Sequence, residues 1–142
     1  MSCMLHITGK KLDLDAALKS LPVKPSQTLR RGTLLPALCP SRPAKRRLRS
    51  SLSIVASRAD FDQPKKQVTD ATRFLRKHTA GLRRVCRRSD VDDARLDFGI
   101  YKRDAFMQAE HFSLELIELM GKIGLSLEIS LYNDPENQCA PT

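Results

Sequence analysis

Residues 64–88 constrain this chain more than any other stretch. At 100° per residue from Val68, the side chains of Val68, Ala71, Phe74, Leu75, His78, Leu82, Val85 and Cys86 fall within about 120° of arc. Lys65, Lys66, Arg73, Arg76, Lys77, Arg83, Arg84, Arg87 and Arg88 fall within about 140° on the other side. A helical period that never mixes its two faces predicts one long amphipathic helix, greasy toward a core and cationic toward water. Pro64 suits its first turn, with Asp62 or Gln63 as N-cap. Gly81 is the place for a kink, at a cost of about 1 kcal/mol relative to alanine.

The apolar face of such a helix has to cover something, and the rest of the chain supplies strands. Cys3, Leu5 and Ile7 alternate with Met4, His6 and Thr8 and stop at Gly9. A short helix follows, capped by Asp13, with Leu14, Ala17, Leu18 and Leu21 on one stripe and Pro22 ending it. Residues 28–35 read as a strand in which Gly32 marks a bulge or a close backbone approach. Residues 36–50 carry Pro36, Pro40 and Pro43, then Lys45, Arg46, Arg47 and Arg49, which is the composition of an exposed, disordered loop. Residues 51–57 turn Leu52, Ile54 and Ala56 inward as a further strand.

After an acidic turn at Asp90, Asp92 and Asp93, the residues Ala94, Leu96, Phe98 and Ile100 alternate with polar neighbours as another strand. Ser113 then caps a helix in which Leu116, Ile117, Met120 and Ile123 line the core. Phe112 staples onto Ile117, and Gly124 supplies a left-handed C-terminal cap. Leu125, Leu127, Ile129 and Leu131 alternate with Ser126, Glu128, Ser130 and Tyr132 as a half-buried strand, and residues 133–142 form a polar tail. The element order predicts an α+β fold with two layers: a mainly antiparallel sheet of about five strands with about three helices on one face, as a single domain over residues 1–142. A chain of 142 residues can bury roughly two thirds of its unfolded surface in one core.

Charge is split by segment. Residues 24–88 hold eighteen Lys or Arg against three acids, and residues 89–142 hold four against eleven, which with +1 from residues 1–23 gives the net charge of +9. Blocks of this size attract anionic partners and also pull the chain's acidic third onto its own basic middle. The basic positions that carry a binding reading are Arg46, Arg47 and Arg49 in the loop and Arg73, Arg76, Lys77, Arg83, Arg84, Arg87 and Arg88 on the helix.

Signs of chemistry are absent. Cys3, Cys39, Cys86 and Cys139 are 36, 47 and 53 residues apart, so none has the spacing of a zinc knuckle or a redox dithiol, and each is expected to be a reduced thiol. His6, His78 and His111 do not make a metal site: His6 sits mid-strand, His78 falls on the helix's apolar face, neither has a Cys, Asp or Glu at ligand spacing on its own element, and neither a metal nor a cofactor is expected. Glu110 with His111, and Asp92 with Asp93, lack a nucleophile or a glycine-rich phosphate loop, so no catalytic residue is assigned. No segment reads as a signal peptide or a membrane span, which predicts a cytoplasmic chain.

Three short features carry a family resemblance. They are Ile7, Thr8 and Gly9 followed by a helix start at Leu12 and Asp13; the step Arg30, Arg31, Gly32; and residues 116–132 with their joint at Gly124 and Leu125. Together they resemble a family of small bacterial proteins catalogued only as a domain of unknown function. Some members are thought to be toxin-immunity proteins. The resemblance implies a binding role with a protein partner such as a toxin, and no catalytic residue. The preferred expectation is therefore a non-catalytic binding module, with a nucleic-acid-associated protein using the basic helix face as the alternative. Membrane binding is not expected, because the apolar arc of the helix is needed to cover the sheet.

Overall fold

A computed structural model describes residues 2–36 and 39–136. Cys139 and most of the expected polar tail lie outside the described residues. The elements run β1 (Cys3–Gly9), α1 (Leu14–Ser20), β2 (Gln27–Leu29), β3 (Ser50–Ser57), α2 (Pro64–Cys86), β4 (Asp93–Lys102), α3 (Leu114–Ile123) and β5 (Ser126–Asn133). The sheet order is β2-β3-β1-β4-β5. β1 lies between β3 and β4, antiparallel to both, and β5 joins β4 in parallel after the crossover through α3. This is an α+β fold.

Period-two alternation places the core. Leu5, Ile7, Leu52, Ile54, Leu96, Phe98 and Ile100 are buried on the inner side, against Ala71, Leu75, Leu82 and Val85 of α2 and Leu116, Met120 and Ile123 of α3. The opposite side of the sheet is polar. There His6 Nδ1 lies 2.8 Å from Ser53 Oγ, Arg95 reaches Asp93 at 2.8 Å and pairs with Glu128 at 3.0 Å, and Ser130 donates to Asp97. Phe61 stacks against Tyr101 and Tyr132 on that side.

Local signals hold where the structure is local. Asp13 Oδ1 accepts from Ala16 N, Ser113 caps α3 through Leu116 N, and Gly124 takes φ 91° as its C-cap. Several expectations are corrected. The strand over 28–35 is only Gln27–Leu29, and Gly32 is neither a bulge nor a close approach: it sits at φ 85° with open space around it. It turns the chain so that residues 33–35 run back against 45–47, with Leu35 N donating to Lys45 O, Arg47 N to Thr33 O and Gly32 N to Arg47 O. The proline-rich basic segment is therefore partly a paired ribbon rather than a disordered loop; Ala37 and Leu38 lie outside the described residues.

The long helix spans its expected length, but its break is at His78 (φ −117°, ψ 16°) and not at Gly81. A β-carbon at Gly81 would come within 2.8 Å of Pro22, so the glycine is there for close packing against the end of α1. Gln63 is the N-cap and makes no side-chain capping bond. Ile117 does not line the core. It is 44% exposed, and Phe112 packs edge-on to Phe98 at 5.1 Å. In the last strand Leu127, Ile129 and Leu131 are exposed rather than half-buried.

Candidate binding surface

The outer face of α2 is cationic as its sequence requires, but much of it is engaged within the chain. Arg76 Nε donates to Glu115 at 2.8 Å, Arg73 stands 3.9 Å from Asp70, and Arg87 donates to the carbonyls of Gly121 and Lys122 at the end of α3. That last contact places a cation where the carbonyl end of a helix favours one. Arg88 makes two bonds to Asp90 at 3.0 Å, and Arg49 meets Asp92 at 3.2 Å. Arg46 donates to Gly32 O. The hydrogen bond from Arg88 is the main reason the Asp90 carboxyl sits below the usual carboxylate range. Asp90 and Asp92 also accept from the backbone of Asp13 and Lys10, so the acidic turn ties α1 to the sheet.

Lys77, Arg83 and Arg84, among the expected binding residues, have no ion-pair partner among the described residues; nor do Lys65, Lys66 and Arg58. Arg47 is half-buried and is held through its backbone, its carbonyl accepting from Gly32 N and its N–H donating to Thr33 O. Lys65 and Lys66 stand in the first turn of α2, where no acid offsets the positive end of the helix. The ten expected residues do not form one patch. Arg46, Arg47 and Arg49 approach the start of β3, and acids Asp90 and Asp92 stand between Arg49 and Arg88.

A groove of about 340 Å³ collects the free cations nearest the sheet. Its walls are Val55, Ala56, Ser57 and Arg58 of β3 and its exit, and Asp70, Arg73, Phe74, Lys77 and His78 of α2. It exists because β2 pairs only with Ser51, Leu52 and Ser53. Beyond them, residues 54–57 have β1 on one side and no strand on the other among the described residues. The helix break at His78 lies in this groove, with the imidazole 5.1 Å from the Phe74 ring. Ser57 Oγ donates to Asp70 at 2.8 Å and so occupies the one acid on the floor. Sequence periodicity finds the helix side of this groove, but the shortness of β2, which opens it, has no local signal.

The residues weighed for chemistry are scattered. Glu110 is held by Arg103 and Gln108, His111 is exposed beside it, and Asp92 and Asp93 lie at the other end of β4. His6 meets Ser53, on the open side of the sheet. Burial, and then the charge of Arg95, lowers the His6 pKa below 6.5; burial, and then Lys77, lowers that of His78. The unfolded chain therefore takes up protons first as the pH falls. The stability tied to neutral His6 and His78 is complete above the unfolded value of about 6.5 and is lost as the pH falls through the folded values. The urea midpoint should drop between pH 7.5 and pH 5, and the double variant His6→Gln, His78→Gln should flatten that segment of the curve.

The thiols divide by burial. Burial, with Asp97 and Asp70 adding to it, pushes the Cys3 thiol far up, and burial pushes Cys86 up to about 12. Hydrogen bonds from Ser41 lower the exposed Cys39. Among the described residues no helix is long and apolar enough to cross a membrane, and no group of three or more His, Cys, Asp or Glu could hold a metal ion. No curated protein and no solved structure matches the chain. Residues 1–134 match the model of a family described as a domain of unknown function (DUF4279), and the chain belongs to that family.

Proposed function

We propose that this chain is a non-catalytic binding module of the cytoplasm whose partner is another protein, held through an extended acidic segment laid along the free half of β3. The observation that carries this reading is the open edge at residues 54–57, flanked by Arg58 and Lys77. Strand addition takes affinity from main-chain hydrogen bonds and specificity from the side chains around the edge. Arg58 and Lys77 supply charge for carboxylates, and Phe74 with His78 supplies an apolar wall. Arg83 and Arg84 extend the positive field along α2 and speed encounter with an acidic partner. An immunity role, with a toxin as the partner, is the form of this binding that the sequence resemblance implies.

The nucleic-acid alternative draws on the same cations. It is less well supported, because Arg49, Arg76, Arg87 and Arg88 already have partners in the chain and break the run that a phosphate backbone would follow. Tagged full-length protein, recovered from its native cell, should bring down one protein in stoichiometric amount. The variant Arg58→Glu, Lys77→Glu should reduce that recovery by about tenfold or more. A partner retained in full by this variant, or no partner at all, defeats the proposal. Duplex DNA binding that weakens with salt at a slope near −0.9 per phosphate neutralised would favour the alternative.

A further inference from the structure

β5 ends the sheet opposite β2. One of its rails bonds to β4; the other meets no strand among the described residues. The strand is eight residues long and contains neither proline nor lysine; of the usual devices that keep an edge from pairing it carries one charged side chain, Glu128. By register Leu127, Ile129 and Leu131 stand beside Leu96, Phe98 and Ile100, on the helix side of the sheet. The three β4 residues are at most 1% exposed, whereas their β5 neighbours are 40%, 44% and 62% exposed.

The reason lies in α3, which is drawn toward α2 by Glu115 with Arg76 and by Arg87 on its last carbonyls. At 100° per residue Ile117 falls on the flank of α3 opposite Glu115, with Leu114 next to it nearer the solvent side, and both are exposed. The edge strand and this flank thus present two apolar rows with nothing over them.

The geometry points to a second copy of this chain as the occupant, with the two β5 strands pairing antiparallel about a two-fold axis through Ile129. The strand is matched to itself in that register. Leu127 falls opposite Leu131 of the copy, Ile129 opposite Ile129, and Glu128 opposite Ser130, so that no Glu128 confronts its equivalent. A slip by one residue would set the aliphatic row against the polar one. Glu128 is already paired with Arg95, which leaves no bare charge at the joint. The basic ribbon lies at the far edge of each sheet. Nine strand spacings of about 4.8 Å would separate the two β2 strands by about 43 Å, several Debye lengths in physiological salt. The product is a ten-stranded sheet with both helix layers on the same side.

This inference does not depend on the β3 groove, and it is tested on the chain alone. Sedimentation velocity of the full chain should give twice the chain mass. Ile129→Lys, at a position already exposed in the single chain, should leave the circular dichroism of the fold unchanged, weaken dimerisation by at least about 100-fold and abolish the dependence of melting on protein concentration. In a Cys39→Ser, Cys139→Ser background, Ile129→Cys should cross-link to its copy on oxidation and Ser126→Cys should not. A monomer at about 50 µM, a dimer untouched by Ile129→Lys, or masses that grow beyond two copies would each overturn it.

Discussion

Phe98→Ala is expected to cost about 4 kcal/mol and to lower the melting temperature by roughly 10–20 °C. Phe98 is among the largest fully buried side chains, in the middle of β4, with Cys3 of β1 on one side and Ile129 of β5 on the other. Its ring meets Phe112 edge-on immediately before the cap of α3. Truncation therefore opens a cavity at the point where the sheet holds the start of that helix, and neither neighbour can collapse into it without giving up its own register. Phe98→Leu keeps most of the volume and should cost roughly 1–1.5 kcal/mol. Urea unfolding with the slope compared across variants checks both values; equal costs for the two substitutions would contradict the cavity argument.

Gln67→Ala should cost about 2–4 kcal/mol by a different route. Gln67 is fully buried near the start of α2, and its Nε2 donates to Asp60 O at 3.0 Å and to Gly99 O at 2.8 Å. It thereby holds the helix to the turn before it and to β4 just beyond the start of β1. Alanine removes both bonds and takes the donor from the Gly99 carbonyl, while Asp60 O keeps the bond from Gln63 N. Gln67→Met retains the volume and also removes Oε1, a buried acceptor that has no partner, so its cost should be about half as great. Thermal unfolding of the pair separates the polar part from the packing part. A methionine variant as unstable as the alanine variant would place the whole effect in the hydrogen bonds.

These two residues differ in how visible they are in the sequence. Phe98 stands in a clean period-two run, and alternation alone points it inward. Gln67 is polar within a helix whose apolar arc is complete without it, and its acceptors lie 7 and 32 residues away. The same contrast runs through the fold. Asp13, Ser113 and Gly124 are caps that act within a turn of chain, and each does what its residue type requires. Gly81 owes its place to Pro22, the ribbon at residues 32–47 to pairing across a proline-rich gap, and the partners of Arg49, Arg76 and Arg87 to elements 34 or more residues distant. Alternation in β5 assigns the face of its leucines, but it carries no information on whether a helix reaches far enough to cover them. Ile117 is the same case from the helix side. The cationic side of the groove could be read from helical phase, while its opening could not, because a strand's length depends on what it pairs with.

The central position of β1 has a consequence for how the molecule is made. β1, made before the strands that flank it, needs neighbours on both sides, and the second of them, β4, begins only at Asp93. At about 5–20 residues per second the nascent strand waits on the order of 5–20 s with one flank bare. Synthesis, more than the finished fold, is then the stage at which an unpaired edge of this sheet is exposed, and slowing translation between β3 and β4 should cost soluble yield.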